Sequence, residues 1–190
     1  MRGITIFVAT VLALGLSLDA LSGPVPPSVR DAVTGQLPGS TMKITIVFPS
    51  ESAAQLFVLS GERVEAHSVP FEFFPEASYG ATWVDQIEVR APDAFVLRFR
   101  VRKTCGPGVY DYRFAKRAET WYVSGLDRKE SRCSDAGVAD AWEKSYNFLN
   151  GRTRFIDYAN GHPKKGMNAG RVFPSFRLAD FEALHPKYEP

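Results

Sequence analysis

Histidine and cysteine are scarce in this chain: three histidines and two cysteines among 190 residues. His67, His162 and His185 stand far apart, as do Cys105 and Cys133. No subset has the close spacing of a zinc site. The Asp-x-Asp-x-Asp-Gly pattern of a calcium loop is missing. So are the P-loop and the dinucleotide-binding glycine pattern, whose backbone amides would cradle phosphate. There is no Gly-x-Ser-x-Gly elbow, and Ser124-Gly125 falls inside a strand pattern, a poor place for an exposed nucleophile. His162 and His185 each precede a proline and read as a loop residue and a terminal one. These absences leave no expected catalytic residue, cofactor or metal. Internal repeats, low-complexity tracts and convincing linkers are lacking too.

Long apolar runs are confined to the start. Residues 4–18 form one such run of 15 residues behind Arg2, and Ala20-Leu21-Ser22 offers small residues at cleavage spacing. That is the layout of a signal peptide cut after Ser22 or Ala20. The run is shorter than the roughly 20 residues a membrane span needs. The expectation is a leader over 1–22 and a single β-rich domain over 23–190, periplasmic or otherwise secreted, with no transmembrane anchor after cleavage. Hydrophobic content of 45% and charged content of 23% fit a globular domain. Export and a net charge of only +2 disfavour nucleic acid as a partner. The charge is uneven: residues 23–90 carry four basic and eight acidic groups, residues 91–190 eighteen and twelve. Such asymmetry fits an anionic partner or attraction between two halves of one sheet.

What is present is a strand pattern. Leu97, Phe99 and Val101 alternate with Arg98, Arg100 and Arg102, the period of a half-buried strand. Residues 83–90 alternate likewise, with Trp83, Ile87 and Val89 on one face. Residues 91–94 between them are turn chemistry. Matching polar faces by an even residue sum of 186 sets Glu88 opposite Arg98. Tyr110, Tyr112 and Phe114 face residues 121–126 across a polar turn over 115–120. Residues 145–149 meet 152–158 across Asn150-Gly151, a strong hairpin signal. Upstream, Ser28 caps an expected helix over 29–37, stopped by Pro38-Gly39. Strands are expected at 42–48, 54–59 and 64–69, and a strand end or irregular core segment at 71–75. Gly106-Pro107-Gly108 reads as a turn, 160–170 as a loop, and 178–184 as one or two helical turns. The fold class is therefore mainly β (α+β), an antiparallel meander with short helices near both ends.

Four basic residues form the one patch with a binding character: Arg98, Arg100 and Arg102 with Lys103. An outward basic ladder suits an anionic envelope polymer or an acidic protein, and equally a solvated face with acidic cross-strand partners. Asp85, beside Trp83 and Ile87 on the presumed inner face, and Asp127 are the carboxylates a small hydrolase would use. Cys105 and Cys133 are expected to form a structural disulfide. It encloses 27 residues, worth about 3–4 kcal/mol in the chain-entropy model. Pairing Phe114 with Trp121 would set Cys105 opposite residue 130, three short of Cys133.

Leu37-Pro38-Gly39, then Trp121-Tyr122-Val123-x-Gly125, then Ser145-x-Asn147-x-Leu149-x-Gly151, then Leu178-Ala179-Asp180-Phe181, resembles a group of small, uncharacterised bacterial periplasmic proteins. Some of these carry an FG-GAP-like calcium loop after the first helix. Residues 41–48 hold no aspartate, so that site is not carried over. The resemblance implies a compartment and a β-rich fold, not an activity. The expected function is a non-enzymatic exported interaction protein of inhibitor or immunity type, acting on an envelope protein. The alternatives are a carboxylate hydrolase and a binder of anionic envelope polymers.

Overall fold

The computed structural model describes residues 32–50, 53–72, 82–103, 106–134, 137–159, 162–163, 167–170 and 176–182. They build two antiparallel sheets. The first sheet has five strands: β1 (Ala32–Gln36), β2 (Met42–Ser50), β3 (Ala53–Ser60) and β4 (Arg63–His67) in order, with β5 (Phe71–Glu72) also on β3. The second has nine. A meander runs through β6 (Thr82–Ala91), β7 (Ala94–Lys103), β8 (Gly106–Arg117), β9 (Thr120–Ser134), β10 (Gly137–Asn147) and β11 (Arg152–Ala159). Short β12 (His162–Pro163) and β13 (Met167–Gly170) pair with β11, and β14 (Phe176–Arg177) pairs with β9.

Alternation along the strands makes the core. Met42, Ile44 and Ile46 of β2 and Ala54, Leu56 and Val58 of β3 are buried against Phe95, Leu97, Phe99 and Val101 of β7 and Tyr110, Tyr112 and Phe114 of β8. The first sheet thus covers the β6–β9 half of the second. At one seam β1 lies against β6, so close that a Cβ on Gly35 would sit 2.6 Å from Ile87 Cγ2. At the other the C-terminal segment bridges the sheets. Phe176 and Arg177 pair with Val123 and Tyr122 of β9. A single 3-10 turn, Leu178–Asp180, follows. There the Ala179 carbonyl accepts the Val69 amide at 3.0 Å. Phe181 then enters the core, with ring centroids 5.2 Å from Phe71 and 5.1 Å from both Tyr112 and Phe114. Strands β10, β11 and β13 continue the second sheet past this closed sandwich as a wing.

The mainly β, antiparallel meander is as expected; the helices are not. Residues 32–36 of the expected first helix are strand β1, in register with β2 from Ala32↔Val47 to Gln36↔Lys43. Val33 and Thr34 are β-branched and suit a pleated ladder. Pro38-Gly39 makes the turn, with Gly39 at φ +77 and the Ser40 amide on the Leu37 carbonyl. Among the described residues the C-terminal end has only the 3-10 turn, and residues 183–184 of the expected helical turns lie outside them. The residue sum for β6–β7 is nowhere 186: it is 185 at Ala91↔Ala94, 184 from Val89 to Gln86 and 183 from Val84 to Thr82, so Gln86 faces Arg98 and Glu88 faces Val96. The two-residue turn after Ala91 and the irregularity near Arg90 account for the difference at Gln86 and Glu88, and a second irregularity near Asp85 shifts the rest. Gly106-Pro107-Gly108 begins β8 rather than turning, and the expected loop over 160–170 contains β12 and β13. Phe114 pairs with Val123, not Trp121, because the tight turn sets Arg117 opposite Thr120 and so a residue sum of 237, which becomes 238 from Arg113 onward. Cys105 and the leader lie outside the described residues, and only the backbone of Cys133 is described, opposite Val138.

The β8–β9 turn is shorter than expected, just Ala118 and Glu119, both left-handed at φ 43 and 66. Two-residue hairpins of this twist favour Asn-Gly because a Cβ is strained there. Glu119 is exposed, so its 3.1 Å pair with Lys116 contributes little. Glu119→Gly should therefore stabilise the protein by about 1 kcal/mol and raise the melting temperature by roughly 2–4 °C. Calorimetry of the two proteins checks this, and an equal or lower melting temperature contradicts it.

Candidate functional site

The register divides the second sheet into two chemically different faces. On the outer face one row runs Arg98, Asp111, Asp127, Ser145, Arg154 across β7 to β11. Arg98 grips Asp111 with two hydrogen bonds of 2.6 Å. Asp127 accepts the Ser145 hydroxyl at 2.5 Å and lies 3.3 Å from Arg113. Lys129 meets Glu143 at 2.9 Å, and this hydrogen bond raises the lysine's pKa. Arg100 sits 2.9 Å from Asp85, as an ion pair rather than an aligned hydrogen bond.

This placement bears on the basic ladder. Arg98 and Arg100 each have an acid of their own, on β8 and at the β6 bulge. The side chains of Arg102 and Lys103 lie outside those described. Asp85 does not point among core side chains: it stands at the bulge against Arg100. Asp85 and Asp127 are three strands apart, roughly 14 Å at the usual interstrand spacing, so they do not form a catalytic pair. His67 packs beside Phe57 with Nδ1 3.1 Å from the Ser68 carbonyl, and His162 is exposed on β12. Among the described residues no three of His, Cys, Asp and Glu gather where a metal could sit.

The inner face holds what sequence reasoning missed. Beyond the sandwich its rows read Tyr110, Arg128, Lys144, Phe155 and then Glu130, Trp142, Asp157, with Gly108 close to Glu130. Arg128 and Glu130 are buried. Glu130 accepts the Tyr110 hydroxyl and, at 2.5 Å, Arg128 Nε. The Arg128 guanidinium lies 4.9 Å from the Tyr110 ring centre and 5.0 Å from that of Trp142. Burial, then the Glu130 bond, pushes the Tyr110 phenol well above its ordinary pKa, so it stays a neutral donor. Lys144 Nζ lies over Trp142 at 5.2 Å and Phe155 at 5.9 Å. The signal was available: the alternation that buries Trp121 and Val123 resumes after the bulge at Leu126, and its next steps are Arg128 and Glu130.

Comparison with protein-family models, curated proteins and solved structures returns no match. No helix among the described residues is long and apolar enough to cross a membrane.

One glycine joins the two faces to the wing. The Arg113 side chain crosses Gly125 to donate to the Tyr146 carbonyl at 2.8 Å. A Cβ on Gly125 would stand 2.4 Å from the guanidinium and 2.5 Å from that carbonyl. The guanidinium can move; the backbone oxygen cannot without parting β9 from β10. Gly125→Ala should cost about 2–3 kcal/mol, and Arg113→Ala added to it should recover only part of the loss. Denaturant titrations of the two variants test this. Full recovery would show that the arginine alone needs the glycine.

Proposed function

We propose that the chain is an exported, non-catalytic interaction module that meets a cell-envelope protein through its wing, in the manner of an inhibitor or immunity protein. The supporting observation is the wing itself. It stands outside the closed sandwich, and Trp142, Phe155, Ile156 and Tyr158 on it are only half-buried. Aromatic residues beside cations are the usual anchors of protein interfaces. The competing readings are a polymer binder using Arg98, Arg100, Arg102 and Lys103 and a hydrolase using Asp85 or Asp127; of these groups Arg98, Arg100, Asp85 and Asp127 are already engaged in ion pairs. The test is cross-linked capture from a periplasmic extract with the mature protein as bait. Wild type should recover the same partner repeatedly, and Trp142→Ala/Phe155→Ala should lose it while keeping the circular dichroism spectrum of the folded protein. Equal recovery by both, or a turnover activity with no partner, counts against the reading.

Export also supports the Cys105–Cys133 bond as a proposal. From Val109↔Lys129 to Arg113↔Gly125 the β8–β9 ladder keeps a residue sum of 238, and the same sum pairs 105 with 133. Facing residues on antiparallel strands have Cα atoms about 4.5–5.5 Å apart, within the span of about 4.4–6.8 Å that a disulfide takes. Mass spectrometry of unreduced protein from the periplasm should show a linked Cys105–Cys133 peptide. Two alkylatable thiols would remove the bond and weaken the case for export.

A further inference from the structure

Arg128 and Lys144 are register partners, directly opposite on β9 and β10 and on the same face. Like charges so placed repel, and strands usually avoid the arrangement. Glu130 answers Arg128 alone. Lys144 has no carboxylate partner among the described residues; its ammonium is held instead over the rings of Trp142 and Phe155. Aromatic walls fix a cation without neutralising it. The Thr153 hydroxyl, one row away on β11, is enclosed there with no hydrogen-bond partner.

We infer that this part of the wing's inner face is an anion-recognition site, and that its occupant is an acidic side chain of a partner protein docking across β10 and β11. The inference rests on the interaction reading and names its chemistry. One carboxylate set against Lys144 would answer its row, which carries two cations and no acid, Glu130 and Asp157 standing in the row beside it. The side chain that receives it is already positioned, so little rotamer freedom is lost on binding. Trp142 argues for a carboxylate side chain over an acidic sugar. A sugar stacks on a free ring face, whereas Trp142 already has the Arg128 guanidinium and the Lys144 ammonium over its ring.

The test is a titration of the mature protein with poly-L-glutamate at low salt, read by calorimetry, with polygalacturonate alongside. Wild type should bind poly-L-glutamate saturably and more tightly than the sugar polymer. Lys144→Met should weaken that binding at least fivefold, Lys144→Glu should abolish it, and Arg98→Gln should leave it unchanged. The melting temperature of Lys144→Met should stay near wild type, because lost attraction to the rings and relieved repulsion from Arg128 oppose each other. Equal binding by Lys144→Met, tighter binding of polygalacturonate, or unfolding of both Lys144 variants would overturn the inference. If poly-L-glutamate is ignored while Trp142→Ala/Phe155→Ala still loses the captured partner, the acidic-partner inference falls and the interaction reading stands.

Discussion

Strand β9 sets the constraint that the rest of the structure answers. Its 15 residues carry backbone donors and acceptors on both edges, and leaving one buried and unpaired costs about 1–3 kcal/mol. One edge belongs to β8 along most of its length. The other edge has two owners: β14 takes Tyr122 and Val123, and β10 takes Gly125 through Ser134. The handover falls at Ser124, whose carbonyl accepts the Phe148 amide at 3.1 Å. Because β10 leaves at that point, the C-terminal segment must return to the middle of the fold to finish the edge. That return closes the sandwich against Val69 and carries Phe181 into the core. The wing and the C-terminal closure are thus two consequences of one ladder.

Electrostatics then separates the faces that β9 joins. The outer pairs are partly exposed, and each contributes roughly 0.2–1 kcal/mol. Their larger effect is to leave little free charge on Arg98, Arg100 and Arg113. The inner pair, Arg128 with Glu130, is buried, and desolvation offsets much of its attraction. It persists because Tyr110 and two aromatic rings supply partners that water would otherwise provide. An apolar pair at those positions would serve the fold as well. The charges therefore say more about what lies beside them than about stability.

How much of this was legible depended on whether one strand's own pattern decided the matter. Phe95 to Arg102 showed its faces because period two needs no partner to be read. Asn150-Gly151 marked its hairpin, with Gly151 at φ +71, although Asn147 also shapes the turn by accepting two amides. Residues 32–36 misled because Val29, Val33 and Leu37 satisfy a helical spacing too, and only pairing with β2 arbitrates. The β6–β7 register failed because a two-residue turn and an irregularity near Arg90 alter the count, and no local residue announces them. The seam at Gly35 was hidden, since the sequence does not say which strand will approach that glycine. Arg128 and Glu130 were passed over because an inward charge ends a hydrophobic pattern when read by rule.

That last failure carries an argument of its own. Within the sandwich, the strands obey the alternation of apolar inside and polar outside, from Ile44 and Leu56 to Leu97 and Tyr112. The departures gather beyond it, on the inner face of the far half of β9 and of the wing: Arg128, Glu130, Lys144 and Asp157. A sequence selected for folding alone keeps its levels consistent, and violations concentrate where another demand competes. The core takes Tyr146 from the end of β10 but does not need the strand to run through 11 residues with Lys144 on its inner side. These departures support the proposal that the wing, rather than the sandwich it is attached to, meets a partner.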